Sequence, residues 1–160
     1  MEMTYKREAS AGYLTNLAGR LFVRAIERRL AGGSAGPMPV FFALADGSTL
    51  SQAALAKWAV VEQPTMANTL NRMERDGLIA RTPDPSDRRS ALISLTPLGR
   101  ERAAQALDSA RTVNALALDG FTPEERDSFF DLLRRVAANL ERDGGESPPP
   151  PPLVTGKRRP

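Results

Sequence analysis

The 160-residue sequence contains neither cysteine nor histidine. Without cysteine, disulfides, thiolate zinc sites and thiol redox sensing are excluded. Without histidine, the commonest metal ligand and the commonest general base are missing. Carboxylates or lysines could still serve an enzyme, yet no nucleophile–base pair, metal cluster or phosphate loop is present. The glycine-rich GGSAG at 32–36 lacks the lysine and the strand–helix setting of a phosphate loop. No apolar run approaches the roughly 20 residues that span a bilayer. The N-terminal MEMTYKREAS has no apolar stretch of the secretory kind, so a cytoplasmic protein that avoids membranes is expected. One-sided charge is missing too. The formal net charge is +3, and GKRRP at the C-terminal end carries three positive charges by itself, so the body is close to neutral. A nucleic-acid reading must therefore rest on where particular basic residues sit, not on bulk charge.

What is present is ordinary for a globular chain: 41% hydrophobic and 26% charged residues, and enough length for one domain with a real core. Leu14, Leu17, Ala18, Leu21, Phe22, Ala25, Ile26 and Leu30 recur at helical spacing, which predicts an amphipathic helix over about 11–31. AGGSAGPMP breaks it. A short helix over 40–45 follows, ended by Asp46-Gly47. Ser51 caps a third helix over 52–58. After a turn at 59–62 a fourth begins, with Pro64 in its first turn, Met66, Leu70 and Met73 on its apolar side, and Gly77 just past its end. Residues 78–82 and 91–95 read as strands joined by the hairpin loop TPDPSDRR. Thr96 caps a long helix with Pro97 at its first position, and Thr122-Pro-Glu-Glu125 is a capping box that starts the last one. From 144 onward, GGESPPPPPLVTGKRRP cannot build a core and reads as a disordered, Pro-rich basic tail. The class is mainly α with a small two- to three-stranded β-wing: a winged helix-turn-helix over about 38–96 within a single domain, 1–143.

The face of the fourth helix opposite Met66, Leu70 and Met73 carries Thr65, Asn68, Thr69 and Arg72, with Arg75-Asp76 further down. These are the groups that major-groove reading uses: Asn pairs with adenine, Arg with guanine, and the Thr methyl touches thymine. Gln63, Pro64 and Thr65 occupy the N-terminal turn, where free N–H groups favour a phosphate. A plain solvated helix face would look much the same. Arg88 and Arg89 at the hairpin tip have the reach for a narrow minor groove. Asp87 is expected to hold the Arg89 guanidinium by a charge-assisted bond. The alternative for this loop is a solvated turn, which accounts for Asp84-Pro85-Ser86 but not for the two arginines.

Two stretches carry a specific resemblance. Residues 87–99, DRRSALISLTPLG, fit the pattern Asp-x-Arg-x5-Leu-Thr-x-x-Gly, and VEQPTMANTLNRMERDGLI fits the helix-turn-helix that precedes it. Together they resemble the MarR family of bacterial transcription regulators, over about residues 11–142. The resemblance implies a homodimer with interlocked terminal helices, at about 11–31 and 97–142. It also implies a fourth helix in the major groove and a wing in the minor groove of a pseudo-palindromic double-stranded DNA operator. Position by position it puts Thr65, Asn68, Thr69 and Arg72 on the recognition helix, and Arg89 on the wing with Asp87 as its orienter. Relatives have Leu and a small residue where this chain has Ala59 and Val60. Valine resists positive φ, so that turn is expected to be set differently, with Trp58 filling the volume that Ala59 gives up.

The terminal helices carry more apolar surface than one small DNA-binding module can cover. A second copy would bury it through Leu14, Leu17, Leu21, Leu133, Val136 and Leu140, and would space two recognition helices about 34 Å apart. Family members often bind small aromatic acids between the dimer helices and the DNA-binding lobe. Tyr13, Arg20, Phe41, Phe42 and Trp58 are the candidates for such a pocket, although each aromatic also suits the core. The expectation is a cytoplasmic, non-enzymatic repressor, without metal or cofactor, relieved by a small aromatic or phenolic effector. The other reading is a winged-helix module for protein–protein contact whose Pro-rich tail docks a partner.

Overall fold

The computed structural model describes residues 6–30, 32 and 34–144. After one 3-10 turn, Arg7–Ala9, the elements run α1 (Ala11–Glu27), α2 (Met38–Leu44), β1 (Leu50–Ser51), α3 (Gln52–Ala59), α4 (Gln63–Arg75), β2 (Ile79–Pro83), β3 (Ala91–Leu95), α5 (Pro97–Ala117) and α6 (Pro123–Gly144). The helix starts are set by local chemistry. Ser10, Ser51 and Thr96 each accept from the backbone N–H three residues on, and Thr122 and Glu125 satisfy one another as a capping box at 2.9 and 3.2 Å. The tail expected over 144–160 lies, from 145 on, outside the described residues.

Two helix boundaries differ from expectation. The first helix ends at Glu27 rather than near 31, because Arg28 and Arg29 form a turn in which Arg29 N–H donates to Ile26 C=O at 2.8 Å. Leu30 packs on the core from that turn. The second helix starts earlier, at Met38, with Pro39 in its first turn, where a missing N–H costs little. The wing has a third strand: β1 pairs antiparallel with β3, giving the order β1-β3-β2, with Leu50 opposite Ile93 and Ile79 opposite Leu95.

Val40 and Leu44 of α2, Leu55 of α3, Leu70 and Met73 of α4 and Ile93 of β3 are the largest wholly buried side chains. Each such burial stabilises by about 1.5–3 kcal/mol, so these six bind α2, the helix-turn-helix and the wing into one body. Ala103 and Ala106 bring α5 onto the same core. By contrast α1 has no buried residue, and of the apolar side chains of α6 only Phe129 is partly covered. It meets Phe121 edge to face, with ring centroids 6.0 Å apart.

The turn between α3 and α4 is closed in the way its sequence argued against. Val60 adopts φ 53°, ψ 48°, the left-handed region, and is the one non-glycine residue with positive φ among the described residues. Its N–H donates to Lys57 C=O at 3.2 Å and the N–H of Val61 to Ala56 C=O at 3.0 Å. These two bonds satisfy the last carbonyls of α3 and require left-handed backbone at Val60. The expectation of a differently set turn is therefore corrected: packing of α3 against α4 overrides the steric reluctance of valine. Trp58 beside it packs against the core, half-buried, with its Nε1 lacking a hydrogen-bond partner among the described residues.

Candidate nucleic-acid interface

The site is built on α4. Its apolar positions recur at i, i+4 and i+7, so Met66, Leu70 and Met73 face the core and are almost wholly buried. That leaves Gln63, Pro64, Thr65, Asn68 and Arg72 exposed and Thr69 half-buried. Thr69 Oγ1 donates to Thr65 C=O at 3.1 Å. The N-terminal turn has no side-chain cap, since Glu62 makes no capping bond. Its free amides and the positive end of the helix dipole meet solvent there. At the other end Arg75 is paired with Asp76 at 3.1 Å, so its charge is locally answered. Arg72 has no such partner among the described residues.

The wing tip is shaped by two aspartates. Asp84 accepts from the hydroxyl of Ser86 at 2.7 Å and from its N–H at 2.8 Å. The serine hydroxyl, then its amide, holds the Asp84 carboxyl below the ordinary carboxylate range. Asp87 accepts from the backbone N–H of Arg89 at 3.0 Å, and its C=O accepts from Ser90 N–H at 2.9 Å. This corrects the expectation that Asp87 holds the Arg89 guanidinium. A short carboxylate reaches the amide two residues on more readily than the end of a long side chain. Asp87 therefore shapes the loop, while Arg88 and Arg89 stand exposed and without an ion-pair partner among the described residues.

The base of the wing is locked to α4 and α5 at one point. Thr96 Oγ1 donates to Gly77 C=O at 2.6 Å while accepting from Gly99 N–H at 3.0 Å. A β-carbon on Gly99 would stand 1.8 Å from the carbonyl oxygen of Leu78. The Thr and Gly of the wing pattern thus have a structural reason: they let the start of α5 lie on the backbone at the end of α4.

Two polar links are absent from the sequence-derived set. Arg81 on β2 donates from Nη2 to Asn71 Oδ1 at 2.9 Å and sets its Nε 3.4 Å from Glu74 Oε2, both on α4. Gln52, the first residue of α3, donates from Nε2 to Gln63 Oε1 at 3.2 Å. Neither follows from helical or strand periodicity, because each joins residues seven to eleven apart across a change of direction.

The expected ligand residues are not brought together. Phe41 lines a crevice of about 280 Å³ between α2, the end of α4 and α5, with Leu30, Asp76, Leu78, Leu98, Arg102 and Gln105. Arg20 lies instead on an open groove along α1, with Asn16, Val23, Arg24 and Glu27. Tyr13, Phe42 and Trp58 are half-buried and line neither. A separate apolar groove of about 450 Å³ runs between α1, α5 and the start of α6, lined by Leu21, Phe22, Val113, Leu116, Phe121 and Phe129.

Among the described residues, six helices and a three-stranded antiparallel wing, with a polar, solvent-facing fourth helix, define a winged helix-turn-helix fold. A sequence profile of the MarR family matches residues 42–91. The transcriptional regulator HosA of Escherichia coli O111:H- is 35% identical over 97 residues, which cover 61% of this chain and 72% of that protein. The HTH-type transcriptional repressor NicR of Pseudomonas putida is 31% identical over 102 residues, 64% of this chain and 65% of NicR. The structure of Bordetella bronchiseptica BpsR, described for the regulation of its DNA binding by 6-hydroxynicotinic acid, superposes with a TM-score of 0.75 at 26% identity, covering 84% of this chain and 97% of BpsR. The chain belongs to the MarR family of transcription regulators. The family and these relatives are regulators, not enzymes. Among the described residues no helix is long and apolar enough to cross a membrane.

Proposed function

We propose that the protein is a cytoplasmic homodimer that binds a pseudo-palindromic double-stranded DNA operator and represses transcription until a small aromatic or phenolic effector releases it. The observation that carries this reading is the pairing of two surfaces in one rigid unit. The exposed face of α4 bears Thr65, Asn68 and Arg72, and the wing tip bears Arg88 and Arg89, the three arginines being without an ion-pair partner among the described residues. Side chains of these types suit a major and a minor groove respectively, and cations left without internal partners are available to phosphates.

The dimer reading is supported by what a single chain leaves in water. Leu14, Leu21, Leu133, Val136 and Leu140 are between 36% and 68% exposed, and Leu17 is half-buried. An apolar stripe on a helix of 22 residues needs a covering surface to be stable. A second copy offers the matching one, isologously. For the effector, the crevice at Phe41 and Arg102 is the better candidate. It combines an aromatic wall with a cation suited to a carboxylate, and Asp76 at the end of α4 forms part of its wall. A ligand there would bear on the position of α4.

The test is selection from a random duplex pool with the whole protein, then binding to the enriched site at two salt concentrations. The expected result is a pseudo-palindrome with half-sites about 34 Å apart and affinity that falls steeply with salt. A folded dimer that enriches no sequence would overturn the DNA reading in favour of a protein-contact module. With an operator in hand, release by small aromatic acids tests the effector.

A further inference from the structure

The amide pair Gln52–Gln63 bridges the first residues of α3 and α4, and nothing in the fold requires it. Both side chains lie at the surface, and the helices are already joined by the buried Leu55, Met66 and Leu70. An exposed glutamine ordinarily samples many rotamers, and ordering it on binding costs affinity. Here the bond from Gln52 favours one rotamer of Gln63 before any ligand arrives. The direction of the bond also matters. Gln52 Nε2 donates and Gln63 Oε1 accepts, at 3.2 Å. Gln63 therefore keeps both N–H groups of Nε2 and the second lone pair of Oε1.

We propose that Gln52 is a specificity-positioning residue: it holds the Gln63 amide in the orientation that pairs with one adenine in each half-site. The inference rests on the DNA-binding reading of α4 given above. An amide with a free donor and a free acceptor side by side complements the N7 acceptor and the N6 donor of adenine in the major groove. A phosphate would use only the donor and would repel the acceptor. Gln63 opens α4, and the residues at the start of a recognition helix are those that meet base edges. Both amides are neutral, so the pair acts on sequence preference and leaves the phosphate-driven salt dependence unchanged.

The experiment is selection from one random duplex pool with four full-length proteins: wild type, Gln52→Ala, Gln63→Ala and the double variant. Binding to the enriched duplex and to its single-base changes follows, with thermal melts as the folding control. Gln63→Ala is expected to lower the preference for adenine at one position per half-site by roughly tenfold. Gln52→Ala lowers it about fivefold at the same position, the worth of one lost hydrogen bond. The double variant matches Gln63→Ala alone, and Gln52→Lys, which still offers a donor to Oε1, restores the preference. The salt slope stays as in wild type for the alanine variants. Unaltered preference in Gln52→Ala, or a loss of affinity spread evenly over all sequences, would overturn the proposal while leaving the DNA-binding reading intact. A wild-type protein that enriches no duplex would remove both, and is recognised because the variants are then not needed to see it.

Discussion

Arg81 of β2 reaches from the base of the wing to α4, where its Nη2 meets Asn71 Oδ1 at 2.9 Å and its Nε lies 3.4 Å from Glu74 Oε2. The Arg81 side chain is 31% exposed and its guanidinium makes both contacts with one planar group, so it acts as a brace between strand and helix. On the proposed reading of two grooves, the angle between α4 and the wing decides whether both can be filled together. Arg81→Ala is expected to cost under about 1 kcal/mol of stability, as a partly exposed pair does, but to weaken operator binding by more. In a double-mutant cycle with Arg89→Ala the two losses should not add. Additive losses would mean that Arg81 contacts DNA by itself.

Arg89→Ala should cost on the order of 1–3 kcal/mol of DNA affinity with an unchanged thermal melt, because its side chain has no ion-pair partner within the described residues. Operator titration by fluorescence anisotropy measures it. Full affinity in the variant would remove the wing from the mechanism.

Val60 stores strain. A left-handed conformation costs an L-residue roughly 1–2 kcal/mol, and Val60 is 76% exposed, so it gains little from packing. Val60→Gly is expected to raise stability by about 1 kcal/mol after the flexibility of glycine in the unfolded chain is counted. Denaturant melts decide it, and a less stable variant would show that Val60 contributes contacts that outweigh its backbone cost.

Gly99 has the opposite character. Only a hydrogen fits on its Cα beside Leu78, where a β-carbon would approach the carbonyl oxygen to 1.8 Å. Gly99→Ala must push α5 away from the end of α4 and open the Thr96 junction. The expected loss is about 3 kcal/mol or more, at the upper end of overpacking costs, read as a fall in the melting midpoint. A wild-type melt would mean that the helix start shifts freely.

Leu21 is 53% exposed in the single chain and lines the apolar groove between α1, α5 and α6. If a second copy covers that groove, Leu21→Asp buries a charge without a partner and should dissociate or unfold the protein. Sedimentation velocity separates the outcomes. A folded variant that sediments like wild type and keeps full DNA affinity would show that this face is not the dimer contact.

The sequence by itself determined the elements and their faces. The spacing of Met66, Leu70 and Met73, the caps at Ser51 and Thr96, the box at Thr122 and the turn residues around Asp84 are local devices, acting within about four residues. They can be read before the chain is folded, and with them came the exposed set Thr65, Asn68 and Arg72 and the two arginines of the wing. Tertiary packing decided what depends on segments meeting. It set Val60 in the left-handed region because α3 had to end where α4 could pack. It gave the Asp87 carboxylate to a backbone amide rather than to a guanidinium. It separated Phe41 from Arg20, which share no cavity, and it joined Arg81 to Asn71 and Gln52 to Gln63. Such contacts depend on the angle and distance at which two elements pack, a property of the whole core that no short stretch of chain contains.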